Sequence, residues 1–152
     1  EQKGGNNNPF FYVSSSEWNL FYYIKEFARE RKLPKGVYLL NELKQLNQVL
    51  RAGQNKHATK FFRIARLIEA YPERHFVLFG DDSQEDPGIY ASLVEHFPEI
   101  IFAIYIRKVH KSKFADVQRI VDKITASGVR CCYFTHSAEA ITHSQDIGLL
   151  QK

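Results

Sequence analysis

The chain has 152 residues, 44% of them hydrophobic and 25% charged, which fits one folded domain and excludes a disordered chain. No run approaches the roughly 20 apolar residues of a membrane span, and the polar start is unlike a secretory signal. A net charge of +4, from 21 Lys and Arg against 17 Asp and Glu, suits an anionic substrate or an anionic lipid surface without choosing between them.

Residues 1–8 are polar and rich in Gly and Asn, as expected of a linker or loop tip ahead of a domain over residues 9–152. A short aromatic and β-branched run over residues 10–13 predicts a buried strand, which Ser14, Ser15 and Ser16 end. Leu20, Tyr23, Ile24 and Phe27 follow at the spacing of one helical face. Pro34 and Gly36 punctuate, residues 37–40 read as the next strand, and Leu43, Leu46 and Leu50 line a further helix before an exposed loop at Gly53, Gln54 and Asn55. Phe61, Ile64, Ala65 and Ile68 form another helical stripe, closed by Tyr71 and Pro72.

Residues 76–79 are a continuous apolar run that ends in Gly80 and Asp81. The next helix opens at Asp86 and Pro87, since proline is tolerated in a first turn and an acid there meets the positive end of the helix dipole. Residues 101–106 read as a fourth strand, followed by a helix on Phe114, Val117, Val121 and Ile124 that Gly128 ends. Residues 129–134 read as a fifth strand, and the tail from Ser137 as a weaker helix. Strands alternating with helices argue for an α/β fold, a parallel Rossmann-like sheet with helices on both faces. Ligands of such sheets bind at the carboxyl ends of the strands.

The acidic run 80–87 therefore stands where chemistry is expected. Asp81 is the first candidate ligand for a hard divalent ion such as Mg²⁺, with Asp86 or Asp82 second; the competing reading is a solvated turn with a helix-capping acid. Ser14 is a candidate phosphate contact or, more simply, a turn and cap residue. Lys60 would reach a phosphate as a point charge, or belong to an ordinary basic helix face with Lys56, His57 and Arg63. Arg107 has the same two readings, phosphate contact or surface ion pair. His136 and His143 read as surface or capping residues. The adjacent Cys131 and Cys132 match neither a disulfide framework nor a metal-ligand spacing, which points to a reduced, cytoplasmic setting. No Walker loop, Gly-x-Gly-x-x-Gly or Gly-x-Ser-x-Gly motif occurs, which argues against a nucleotide-binding Rossmann or P-loop domain and an α/β-hydrolase. Nothing points to nucleic acid.

The segment Pro9-Phe10-Phe11-Tyr12-Val13-Ser14-Ser15-Ser16-Glu17-Trp18-Asn19-Leu20 resembles a block of the phosphatidate phosphatase App1 catalytic domain, a haloacid-dehalogenase relative. Leu33-Pro34-Lys35-Gly36 with Leu39-Leu40, Tyr71-Pro72, the run from Phe76 to Asp81, Asp86-Pro87 and Ile104-Tyr105-Ile106-Arg107 resemble later blocks in the same order. The resemblance implies a Mg²⁺-dependent phosphomonoesterase acting on phosphatidate or another phosphorylated molecule. It implies that Ser14, Ser15 and Lys60 contact phosphate and that Asp81 and Asp86 position the metal. Thr59 stands where a histidine is common, and Asp82 and Ser83 where Ser-Gly is frequent.

The family's reaction begins on an Asp-x-Asp-x-Thr motif, whose first Asp attacks phosphorus and whose second is the general acid and base. No such motif occurs in this sequence. By that resemblance the first, central strand of the haloacid-dehalogenase-like sheet is missing too. The expectation is that the first half lies upstream in a longer protein, the other reading being a truncated relative that lost catalysis. An exposed sheet edge on such a domain would favour association into oligomers. The alternative function is a non-catalytic module binding a partner or the surface of an anionic membrane, motivated by the basic stretch 107–113.

Overall fold

The computed structural model describes residues 8–41 and 56–151, without the side chains of residues 56 and 57. The predicted helix on Leu43, Leu46 and Leu50 and the loop at Gly53 to Asn55 lie outside these residues, as does nearly all of the predicted linker. The chain is mixed α/β with parallel strands and divides into two compact units, Glu1–Ile64 and Ala65–Lys152. The boundary falls within a helix.

In the first unit, β1 (Phe10–Glu17) and β2 (Gly36–Asn41) pair in parallel, joined through a 3-10 turn at Trp18–Leu20 and α1 (Phe21–Glu30). The ladder runs from Phe10↔Gly36 to Val13↔Leu39 and resumes at Glu17↔Asn41. Four steps along β1 thus meet two along β2, and Ser14 to Ser16 form a bulge. Tyr12 and Tyr38, opposite each other, stack at 4.9 Å. The predicted helix forms, but its inward face is rotated. Phe21, Ile24 and Ala28 turn inward, with Phe21 edge-on to Tyr38, while Leu20, Tyr23 and Phe27 stay exposed. Aromatic residues on both sides of this helix hide the true face from a spacing argument.

The helix α2 (Lys56–Ala70) begins several residues before its apolar stripe. In the second unit, β3 (Phe76–Asp81), β4 (Ile101–Arg107) and β5 (Arg130–Phe134) form a parallel sheet in that order. Their crossovers are α3 (Asp86–His96) and α4 (Phe114–Ala126), and α5 (Ser137–Asp146) follows β5. Two successive crossovers of one hand set α3 and α4 side by side on one face, and they do contact each other. α5 takes the opposite face, where Ser144 meets the hydroxyl of Tyr105 on β4 at 2.7 Å. Ala103, Ile104, Tyr105 and Ile106 are all buried, so the central strand is covered on both sides, which is why it reads as an unbroken apolar run. Leu93 on α3 is completely buried and anchors this core.

Candidate functional site

Asp81 ends β3, and its carboxylate accepts from the amide of Ser83 at 2.8 Å and closely from the Ser83 hydroxyl. Asp86 and Pro87 open α3, and both are buried. Gly80 lets these elements meet. A Cβ added to it would lie 2.5 Å from Oδ2 of Asp86 and 2.7 Å from the hydroxyl of Tyr90, so only a bare backbone fits. Tyr90 in turn donates to the carbonyl of Phe79 at 2.7 Å. Burial first, then the charges of Asp86 and Asp81, push the pKa of this phenol well above its ordinary range. Asp81 and Asp86 thus both act on Tyr90 near the carboxyl end of β3.

Asp82, a second-rank metal candidate by sequence, is employed otherwise. It is fully buried and accepts from the amides of Val109 at 2.7 Å and His110 at 3.0 Å, and from the hydroxyl of Tyr133 at 2.7 Å. Burial alone would raise its pKa; the Tyr133 hydroxyl and the two amides outweigh that and hold it below the ordinary value. It is a strut between the loops after β3 and β4.

The serines lie inside β1 rather than after it. The Ser14 hydroxyl donates to the Ser16 hydroxyl at 3.0 Å and accepts from the Ser16 amide at 3.1 Å. None of the three serines caps a helix, because Glu17 and Leu20 hold the N-cap positions ahead of them. The bulge is fastened from outside the strand. Asn41 donates to the Ser15 carbonyl at 2.7 Å, and Arg63 on α2 donates to the carbonyls of Ser14 at 3.1 Å and Leu39 at 3.4 Å. Arg63 was indistinguishable in sequence from its basic neighbours, yet it ties together the carboxyl ends of β1 and β2. Lys60, one turn earlier on α2, is half-buried in the same unit. Ser14, Ser15 and Lys60 thus belong to the first unit, and Asp81 and Asp86 to the second.

The remaining candidates separate. Arg107 ends β4 opposite Asp81 in the ladder and is exposed. His136 precedes α5, with Glu139 accepting its amide at 2.7 Å. His143 is not a surface residue: its Nδ1 is 3.1 Å from the buried Tyr105 hydroxyl. Cys131 and Cys132 are free thiols, and burial pushes Cys131 up to about 12.

The catalytic-domain family of phosphatidate phosphatase APP1 matches residues 1–108. The chain belongs to that family. It is 29% identical over 99 residues, 64% of the chain, to phosphatidate phosphatase APP1 of Saccharomyces cerevisiae, whose length it covers to 16%. It is 30% identical over 105 residues, 68% of the chain, to an uncharacterized protein of Schizosaccharomyces pombe, covering 17% of that protein. The chain thus spans about a sixth of the curated relatives it matches. No solved structure matches it. All five site candidates drawn from the resemblance fall within the matched residues.

The donor set suits a hard cation. Asp81 ends β3 and Asp86 opens α3, both near Tyr90, and Mg²⁺ is commonly held by one or two carboxylates with water and substrate phosphate completing its shell. Among the described residues no group of three or more His, Cys, Asp and Glu closes around a point. Among the same residues no helix is long and apolar enough to cross a membrane.

Proposed function

We propose that the chain is the phosphate-positioning and metal-binding part of a Mg²⁺-dependent phosphatase that hydrolyses a phosphomonoester, with phosphatidate the leading substrate. The observation that carries this reading is Asp81 at the carboxyl end of a parallel strand, with Asp86 packed against the neighbouring Gly80, within a chain of the APP1 catalytic-domain family. The printed name of the budding-yeast relative supports the lipid substrate.

Asp81 and Asp86 would hold Mg²⁺, which when bound neutralises phosphate charge and orients the phosphoryl group. The Ser83 amide and hydroxyl keep Asp81 oriented for that role. Ser14 would exchange its bond to Ser16 for one to a phosphoryl oxygen, with Ser15 beside it in the bulge and Lys60 supplying positive charge. The nucleophile would come from residues outside this sequence, which has no Asp-x-Asp-x-Thr motif. Among the described residues β1 pairs only with β2 and β3 only with β4, so each keeps an edge on which a further parallel strand would pair.

The reading is tested with the 152-residue chain by itself, assayed for phosphate release from phosphatidate with and without Mg²⁺. No turnover is expected. Clear metal-dependent turnover that Asp81→Asn abolishes would refute the external nucleophile, because the chain would then hold all its machinery.

A further inference from the structure

The basic stretch after β4, Arg107-Lys108-Val109-His110-Lys111-Ser112-Lys113, carries four formal cations and no acid in seven residues. The proposed chemistry at Asp81 makes no use of it. A run of this kind is ordinarily a solvated loop with no fixed shape, but here it is built into the second unit. Asp82 takes the amides of Val109 and His110, and the Lys108 amide donates to the Phe134 carbonyl at 2.7 Å. The Lys108 ammonium lies 4.6 Å from the centre of the Tyr133 ring, whose hydroxyl donates to Asp82. The Lys113 amide closes a 3-10 turn onto the His110 carbonyl, and its ammonium reaches the Ser83 carbonyl at 3.4 Å. Lys108 and Lys113 therefore brace the loop, while Arg107, His110 and Lys111 point to solvent. Val109, half exposed, adds an apolar side chain at the same tip.

We infer that this loop is a preformed docking surface for an anionic lipid bilayer. The exposed cations Arg107 and Lys111 stand apart along the loop, which fits a broad negative surface better than one phosphate. An apolar residue among cations is what an interfacial contact presents to the headgroup boundary. Asp82 spends its oxygens on the loop's own amides and on Tyr133, so it orders the loop without lying exposed among its cations, while the exposed Glu139, which acts on Lys108, accepts from the amides of Thr135 and His136. The inference goes beyond the phosphatase reading and stands without it, since attraction to a charged surface needs no hydrolysis.

The test is co-sedimentation of the natural protein with vesicles of phosphatidylcholine alone, or mixed with phosphatidylglycerol, a phosphodiester that a phosphomonoesterase leaves intact. Binding to the anionic vesicles only is expected, lost at high salt as the Debye length shrinks from about 30 Å at 0.01 M to about 3 Å at 1 M. Lys111→Gln should weaken partitioning about fivefold, the effect of one lysine near an anionic surface. The same variant should hydrolyse a soluble phosphomonoester like wild type, and Asp81→Asn should bind vesicles at least as well as wild type. A failed phosphatase reading would therefore leave the vesicle result untouched. Equal binding to neutral vesicles, wild-type binding by Lys111→Gln, or displacement by inorganic phosphate beyond that by chloride of equal ionic strength would each overturn the inference.

Discussion

The two units carry different candidate residues on very different foundations. In the second, β4 has a strand on each side and helices over both faces, and its core includes Leu93, Ile104, Tyr105 and Ile106. In the first, the described strands make a two-stranded sheet, and Ala28, Leu40 and Ile64 are its buried apolar residues among those described. A sheet of two strands is marginal without further strands or a packed helix. Asp81 and Asp86 thus rest on a well-packed scaffold. Ser14 and Ser15 rest on one held by individual hydrogen bonds from Asn41 and Arg63.

That contrast orders the expected losses. Leu93→Ala should cost about 3–4 kcal/mol in urea unfolding, whereas Leu40→Ala should cost about 2 kcal/mol, because a thinly packed site collapses more readily onto the gap. Equal losses would erase the distinction between the units. Gly80→Ala should cost about 2 kcal/mol by overpacking Asp86 and Tyr90, and should abolish Mg²⁺ binding measured by calorimetry. Unchanged Mg²⁺ affinity would remove Asp86 from the metal site.

Asp82→Asn should cost about 2 kcal/mol at neutral pH, the scale of hydrogen bonds to a charged group. Its carboxyl sits below the ordinary 3.8 in the folded chain. Its stabilisation is therefore whole above that value and drains as the pH falls through the lower folded-state pKa. The variant should show a shallower loss of stability below about pH 4 than wild type, read from acid titration of the unfolding free energy. In the first unit, Arg63→Met should cost about 1 kcal/mol and loosen the Ser14 bulge, visible as faster amide exchange at Ser16.

The alternation of strands and helices was legible because the apolar runs and stripes are long, and the opening of α3 was legible from Asp86-Pro87. What escaped the sequence depends on partners far along the chain. Two extra residues at Ser14 to Ser16 leave no trace in an apolar pattern, since the bulge exists only relative to β2. Asp82 looked like its acidic neighbours because its partners lie 27, 28 and 51 residues away. His143 looked like a surface residue because Tyr105, its contact, is 38 residues upstream. The inward face of α1 was misjudged because Tyr22, Tyr23 and Phe27 are aromatic yet exposed.

The most direct test of the central claim is phosphate release from phosphatidate by the natural protein and its Asp81→Asn variant, in Mg²⁺ and in chelator. The account requires release that depends on Mg²⁺ and is lost in the variant. Release that survives Asp81→Asn, or that proceeds equally in chelator, would contradict it.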